Sequence, residues 1–431
     1  MSAHDTIIPR TMARQAQGRS GMLDRAARSL VTRRLASLGG GRVTLSDPLG
    51  RQTLGTQDAR SPIDATMAVH DTCVYRSLVL GGSLAAAEAY VHGQWTSANL
   101  TDLLRVFVRS IDQTHAMQRG PAIVWTSLAR LWHRLRRNTL DGSRRNIHAH
   151  YDLGNAFFSL FLDPTMSYSC AIFERPDMTL HEASLAKLDH VCRKLDLKPN
   201  DHLLEIGTGW GGLAMHAASQ FGCRVTTTTI SKEQHALARQ RIADAGLADR
   251  IEVKLTDYRE LTGQYDKLVA IEMIEAVGHD YLDTFFAKCA SLLTPDGMML
   301  LQGITMNEQR YERYRRSVDF IQRYVFPGSC CPALGAMVAS VGRATDMRVS
   351  HVEDIGPHYA TTLRLWREAF FTQVDRVLAM GYPPSFVRLW DYYLSYCEAG
   401  FAERYIGDVQ MVLTRPRCES APITAMTGRH A

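Results

Sequence analysis

The sequence lacks what a membrane span, a zinc site or a disulfide framework requires. It has no uninterrupted apolar run of the ~18 residues that a spanning helix needs. Its nine cysteines form no CxxC pair and no cysteine–histidine spacing of the zinc type, so no metal is expected. Scattered and odd in number, they read as the reduced thiols of a cytosolic protein. Internal repeats and low-complexity tracts are also missing. The N-terminal arm, residues 1–40, is rich in arginine but carries no apolar core of the secretory-signal kind.

What is present is enough chain for more than one core. Its 431 residues, 45% hydrophobic and 22% charged, exceed the roughly 250–300 at which single cores stop growing. A net charge of +5 attracts anionic surfaces without specifying nucleic acid or lipid. Much of that charge is local. The stretch "WHRLRRNTLDGSRRNIH" gathers Arg134, Arg136, Arg137, Arg144 and Arg145 around an Asp-Gly-Ser break, which reads as a basic linker over 136–148. Such a run is either a solvated hinge or a patch for phospholipid head groups.

Residues 41–135 show a short β-like segment, "GRVTLSDPLG", followed by apolar residues at helical spacing in "GGSLAAAEAYVHGQW" and "NLTDLLRVFVRSI". They read as a small, mainly helical domain. Beyond the linker, over 149–415, strand and helix patterns alternate: "HLLEIG", "GLAMHAASQFG", "CRVTTTTI", "SKEQHALARQRIADAG", "IEVKLTD", "YDKLVAIEMI", "YLDTFFAKCASLLT" and "GMMLLQGITM". That alternation predicts an α/β fold with a doubly wound parallel sheet, with ligands at the carboxyl ends of its strands. Residues 416–431 read as a flexible tail.

The first of these strands runs into "EIGTGWGG". Gly207, Gly209 and Gly212 satisfy GxGxxG, so a nicotinamide cofactor has to be weighed. A dinucleotide site also wants a carboxylate at the end of the next strand, and that strand ends "TTTTIS". S-adenosylmethionine suits the loop better. Glycines allow close backbone approach to its methionine part, and Glu205 at the strand end can orient the loop or the ammonium group.

The blocks "HYDLGNAFFSLFLDPTMSYSCAIF", "LLEIGTGWGGLA", "TTTISKEQ", "IEMIEAVGHDYLDTFF", "YVFPGSCCPAL", "HYATTLRLW" and "YYLSYCEAGF" together resemble the cyclopropane-fatty-acyl-phospholipid synthases and mycolic acid methyltransferases. The resemblance covers about residues 75–415. It implies a mostly parallel, seven-stranded, Rossmann-like class I methyltransferase sheet and methyl transfer to a cis double bond in membrane phospholipid. A bound bicarbonate would then remove a proton to close a cyclopropane ring.

Residue by residue, the resemblance assigns the bicarbonate to Cys170, Glu275, Tyr359 and the backbone of Ile304. Gln302 stands where the best-known members carry a histidine; its amide can donate a hydrogen bond but cannot become cationic. Tyr359 could also offer its ring face to the developing cation. Cys397 matches a family cysteine, although a small buried residue is the plainer reading. For the methyl donor, the resemblance places Tyr168 and Ser169 at the methionine end, with Gly207 and Gly209 beneath it and Trp210 nearby. Thr229 and Gln234 would face the ribose, and Asp257 and Tyr258 would frame the adenine. Glu272, three residues before Glu275, reads as an exposed or capping carboxylate, and His150 and His358 as orienting or structural.

Misdirected proton loss would give a methylene or, after reduction, a methyl-branched chain. A methyltransferase for a small soluble molecule and a non-catalytic lipid-binding descendant are the further readings. The implied setting is cytoplasmic, at the inner membrane face, with unsaturated phospholipid as partner, no specific nucleic acid and a possible homodimer.

Overall fold

The computed structural model describes residues 21–111, 153–419 and 423. The basic linker over 136–148, His150, the first 20 residues of the arm and most of the tail therefore lie outside the described residues. The chain divides into two units, Met1–Leu131 with Val374–Glu403, and Trp132–Gln373 with Arg404–Ala431.

In the first unit a helix, Met22–Ala36, leads into β1 (Arg42–Asp47), β2 (Gly50–Leu54) and β3 (Asp64–Val69). The helix Cys73–Val91, the short β4 (Trp95–Thr96) and the helix Leu100–Arg109 come next. The four strands lie in the order β2-β1-β3-β4, with β1 and β3 parallel. Val43 and Leu45 on β1 and Ala65, Met67 and Val69 on β3 are buried, the alternation of a sheet covered on one face. The expected helical domain thus carries a small sheet as well, and the β-like segment starts it.

Two boundaries differ from the sequence reading. The unit reaches back to the helix Met22–Ala36, and it takes in Pro384–Ala402, a helix from near the other end of the chain. Complementary polar groups account for that return. Tyr90 Oη donates to Asp391 Oδ2 at 2.5 Å, and Thr101 Oγ1 donates to Glu398 Oε2 at 3.0 Å. Arg105 and Arg109 both donate to Glu403, each at 2.7 Å. Arg388 sits 4.0 Å from the centre of the Tyr90 ring. The expected continuous segment 149–415 is accordingly interrupted at Val374–Glu403.

The second unit holds β5 (His202–Ile206), β6 (Arg224–Thr229), β7 (Ile251–Leu255), β8 (Tyr265–Ile271), β9 (Leu293–Met306), β10 (Arg348–Asp354) and β11 (Ile406–Thr414). They form one seven-stranded sheet in the order β10-β11-β9-β8-β5-β6-β7. The five strands from β9 to β7 are parallel, and β11 runs antiparallel to both its neighbours, β9 and β10. Strand β6 is almost all threonine yet buried. β-Branching suits the pleated surface, and the hydroxyls find partners: Thr227 Oγ1 donates to Thr208 Oγ1 at 2.7 Å and Thr228 Oγ1 to the Thr256 carbonyl at 2.5 Å.

The chain winds from β5 outward through β6 and β7, then returns to place β8 on the other side of β5. This reversal opens a crevice at the carboxyl ends of β5 and β8, the usual ligand position in such sheets. The loops that emerge there are "GTGWGG" and "EMIEAVG". Among the described residues no helix is long and apolar enough to cross a membrane.

Tyr90→Phe keeps the ring under Arg388 and removes the hydroxyl that faces buried Asp391. We expect the first unit to lose about 1–3 kcal/mol, read by hydrogen exchange of the Leu100–Arg109 amides.

Candidate active site

The glycine loop after β5 is shaped by backbone that side chains resist. Gly207, Gly209 and Gly211 have φ of +102°, +51° and +84°, and a Cβ at Gly209 would meet nothing within 4 Å. The loop therefore presents open backbone to the crevice. At Gly212 the constraint is contact, since a Cβ there would lie 2.5 Å from the Thr165 carbonyl oxygen. That approach sets the segment leading to Tyr168, Ser169 and Cys170 against the loop.

The residues expected around a methyl donor gather along this edge, several already engaged with one another. Glu205 is buried, its Oε2 has no hydrogen-bond partner, and burial pushes its carboxyl up to about 8. Trp210 Nε1 donates to Asn155 Oδ1 at 2.7 Å. Thr229 Oγ1 donates to Gln234 Oε1 at 2.9 Å, and Asp257 accepts from the Arg259 guanidinium at 2.7 and 2.8 Å. Tyr258 packs edge-on against Phe285, their ring centres 5.4 Å apart. Ser169 Oγ accepts from Lys187 Nζ at 2.9 Å. The open glycine backbone and the orphaned Glu205 oxygen fit S-adenosylmethionine, with Gly207, Gly209, Glu205, Tyr168 and Ser169 as the residues that would hold its methionine part.

Next to that loop lies a cluster the sequence only partly announces. Glu272, directly after β8, accepts three hydrogen bonds. The Cys170 amide and Gln302 Nε2 reach Oε1, both at 2.8 Å, and Tyr359 Oη reaches Oε2 at 2.5 Å. These bonds correct the reading of Glu272 as an exposed or capping carboxylate. The Glu272 backbone turns into the left-handed region, φ +48°, held by its N–H on the Gln302 carbonyl at 2.8 Å.

Gln302 is directly opposite Gln410 across β9 and β11. Gln410 Nε2 donates to its Oε1 at 2.9 Å, while Gln302 Nε2 also reaches Asp408 Oδ2 at 3.2 Å. Lys194 supports Gln410 from behind, its Nζ 2.5 Å from Gln410 Oε1. Gly303 makes room for the loop after β8, for a Cβ there would strike Ile274 Cγ2 at 2.6 Å. The Ile304 amide donates to Glu275 Oε1 at 2.5 Å, and Glu275 Oε2 is buried without a partner.

Burial raises Glu272, Glu275 and Asp408 together, and their mutual repulsion raises the last two further. Glu275 is pushed up to about 8. Lys187, fully buried, has its ammonium pushed down by the same burial, and its field partly offsets the rise at Glu205, Glu272 and Asp408. The Cys170 thiol is buried and raised well above its ordinary value, first by burial and then by Asp408 and Glu272. It is therefore neutral, donating toward the Ala171 and Ile355 carbonyls, and is not a nucleophile.

This arrangement does not fit a bound bicarbonate. Of the expected donors, Gln302 serves Glu272 and Asp408, Ile304 serves Glu275, Tyr359 serves Glu272, and Cys170 serves Glu272 and backbone carbonyls. An arriving anion would face three carboxyl groups instead of open donors. Cys397 lies in the helix Pro384–Ala402 of the first unit and is not among the residues these contacts gather. His358 Nδ1 accepts from the Phe173 amide at 3.4 Å. Sequence reasoning missed Lys187, Asp408 and Gln410. Lys187 had a signal, falling on the same helical face as Ser184, Leu188 and Val191, all buried.

A carboxyl raised on folding adds stability that is fully present below its unfolded value, near 4.5, and is lost as pH rises through the folded one. For Glu275 that window ends near pH 8. Glu275→Gln should flatten the fall in urea midpoint between pH 5 and 8, leaving the variant relatively more stable than wild type at pH 8.

The family described as mycolic acid cyclopropane synthetase matches residues 138–411. A tuberculostearic acid methyltransferase of Mycobacterium tuberculosis is 38% identical over 380 residues, covering 84% of this chain and 85% of its own. The cyclopropane-fatty-acyl-phospholipid synthase of Escherichia coli K12 is 34% identical, covering 81% and 88%. A solved mycolic acid cyclopropane synthase, complexed with SAH and CTAB, superposes with a TM-score of 0.59 at 34% identity, covering 63% of this chain and 98% of its own. With this sheet, this glycine loop and these relatives, the chain belongs to the mycolic acid cyclopropane synthetase family and is an S-adenosylmethionine-dependent methyltransferase.

Proposed function

We propose that the protein methylates a cis double bond in an unsaturated acyl chain of membrane phospholipid, and that the methylated chain then loses a proton to give a cyclopropane. The observation that carries this reading is an aromatic wall meeting a buried acid cluster beside the glycine loop. Tyr168 lies 5.2 Å from Trp366 and 5.2 Å from Phe158, and Tyr359 lies 6.1 Å from Trp366, all between ring centres. Tyr359 joins the wall to Glu272 through its hydroxyl.

An alkene is a weak nucleophile, so the reaction depends on alignment at near-attack distance. S-adenosylmethionine supplies an electrophilic methyl group when bound. The chain's part is to place that group and to shield the methylated acyl chain from water. Gly212 and Thr165 fix the "SYSC" segment on the loop, so Tyr168 and Ser169 stand beside the donor site and Cys170 beside the acid cluster. A carbocation on the acyl chain needs a site without water and with electron-rich faces; a desolvated ring face contributes up to ~2 kcal/mol. Tyr168, Tyr359 and Trp366 are suited to that task.

A second product has specific support. The relative with 38% identity is named for tuberculostearic acid, so a methylene or methyl-branched chain is the alternative outcome of the same transfer. For either product the acyl chain must leave a lipid surface, and we propose peripheral contact with the inner membrane face.

Purified protein given labelled S-adenosylmethionine and vesicles of oleoyl or vaccenoyl phospholipid should place label in the lipid. Mass spectrometry should find one added methylene per acyl chain, and hydrogen uptake on catalytic reduction should separate a ring from residual unsaturation. Cofactor binding without lipid labelling would refute the reading.

A further inference from the structure

We propose that Glu272 is the base that takes the proton from the methylated acyl chain, so that a carboxylate of the protein itself does what the resemblance assigned to a bound bicarbonate. The inference rests on the lipid methylation proposed above.

Three independent features single out Glu272. The first is its place, immediately after β8 at the crevice where the sheet reverses, with the next residue, Met273, packed within 3.5 Å of where a Gly207 Cβ would be. The second is its set of partners. Gln302 and Tyr359, both expected to hold an external anion, converge on this carboxylate, joined by the backbone amide of Cys170. The third is a left-handed backbone at a residue other than glycine. Such conformations cost on the order of 1–3 kcal/mol and persist where surrounding contacts over-determine them, often at functional sites.

Hydrogen bonding separates Glu272 from its neighbours. Both of its oxygens accept from donors that favour the carboxylate, whereas Glu275 Oε2 and Asp408 Oδ1 are buried without a partner. Lys187 is buried and donates to Ser169, and the Tyr359 hydroxyl donates its hydrogen bond to Glu272. Burial raises the Glu272 carboxyl, while its three donors and Lys187 favour the ionised form that can accept a proton.

The step balances without another reagent. In the cation, the new methyl group sits on one former alkene carbon and the positive charge on the other. One C–H bond of that methyl breaks, and its electron pair forms the bond to the cationic carbon. The proton goes to a Glu272 oxygen, so cation and carboxylate become a neutral ring and a neutral carboxyl. The proton passes to water when the product leaves.

The test compares wild type and Glu272→Gln in buffer stripped of carbon dioxide and in buffer with added bicarbonate, using labelled S-adenosylmethionine and oleoyl phospholipid vesicles. Wild type should form product equally in both buffers, within twofold, and ¹³C-bicarbonate should show no bound signal on the protein by NMR. Glu272→Gln should lose at least 100-fold in product formation while its affinity for S-adenosylmethionine stays within threefold. Wild-type product that depends on bicarbonate, a bound ¹³C signal, or a Glu272→Gln loss under tenfold each overturns the assignment and leaves the methyl transfer standing. Lipid unlabelled by wild type in both buffers overturns the transfer itself. Should the variant not fold, the stripped-buffer and NMR measurements on wild type decide.

Discussion

The constraint on which the site depends is the cost of holding three carboxyl groups in one apolar crevice. Glu272, Glu275 and Asp408 repel one another when ionised, and Lys187 is the buried cation whose field reaches Glu272 and Asp408. A buried charge without partners is far more costly than a buried neutral group. The surrounding sequence answers that cost with donors placed on separate elements: Gln302 on β9, Gln410 on β11, Tyr359 on the helix Gly356–Thr372 and the backbone at Cys170. Gly303 belongs to the same answer, because any side chain there would push the Glu275 loop off β9.

The antiparallel pairing of β11 with β9 makes this possible. Opposed residues in such a pair bring their side chains together on one face, and here the register sets Gln302 against Gln410 and Ile304 against Asp408. A slip of one residue would turn Asp408 and Gln410 to the other face. Two long-range glutamines and an aspartate thereby become one layer beneath Glu272, with Lys194 behind them. Strand β11 thus supplies part of the chemistry that begins at Cys170.

Much of this was legible in the sequence, and the boundary of legibility has a physical form. Alternating strands and helices gave the wound sheet, because periodicity is local. The glycine loop pointed to its ligand because conformational freedom at Gly207 and Gly209 is written in residue type. Glu272 was not legible as a site. Its role comes from a left-handed turn and from partners 102, 30 and 87 residues away, none of which a linear pattern displays. Gln302 looked like a donor for an anion because its own acceptors, Glu272 and Asp408, are brought to it only by strand pairing. The return of Pro384–Ala402 to the first unit was hidden for the same reason.

The distribution of charge also bears on when the site becomes reactive. With burial dominant, the Glu205, Glu272 and Glu275 carboxyls are all held above their ordinary range, so the crevice favours neutral acids. A positive charge entering it, on a sulfonium or on the acyl chain, favours the ionised form of any carboxyl within a few ångströms. Glu272 already carries the donors that stabilise its anion. Glu272 must therefore be ionised before the acyl cation forms, a state that its three donors and a bound sulfonium both favour.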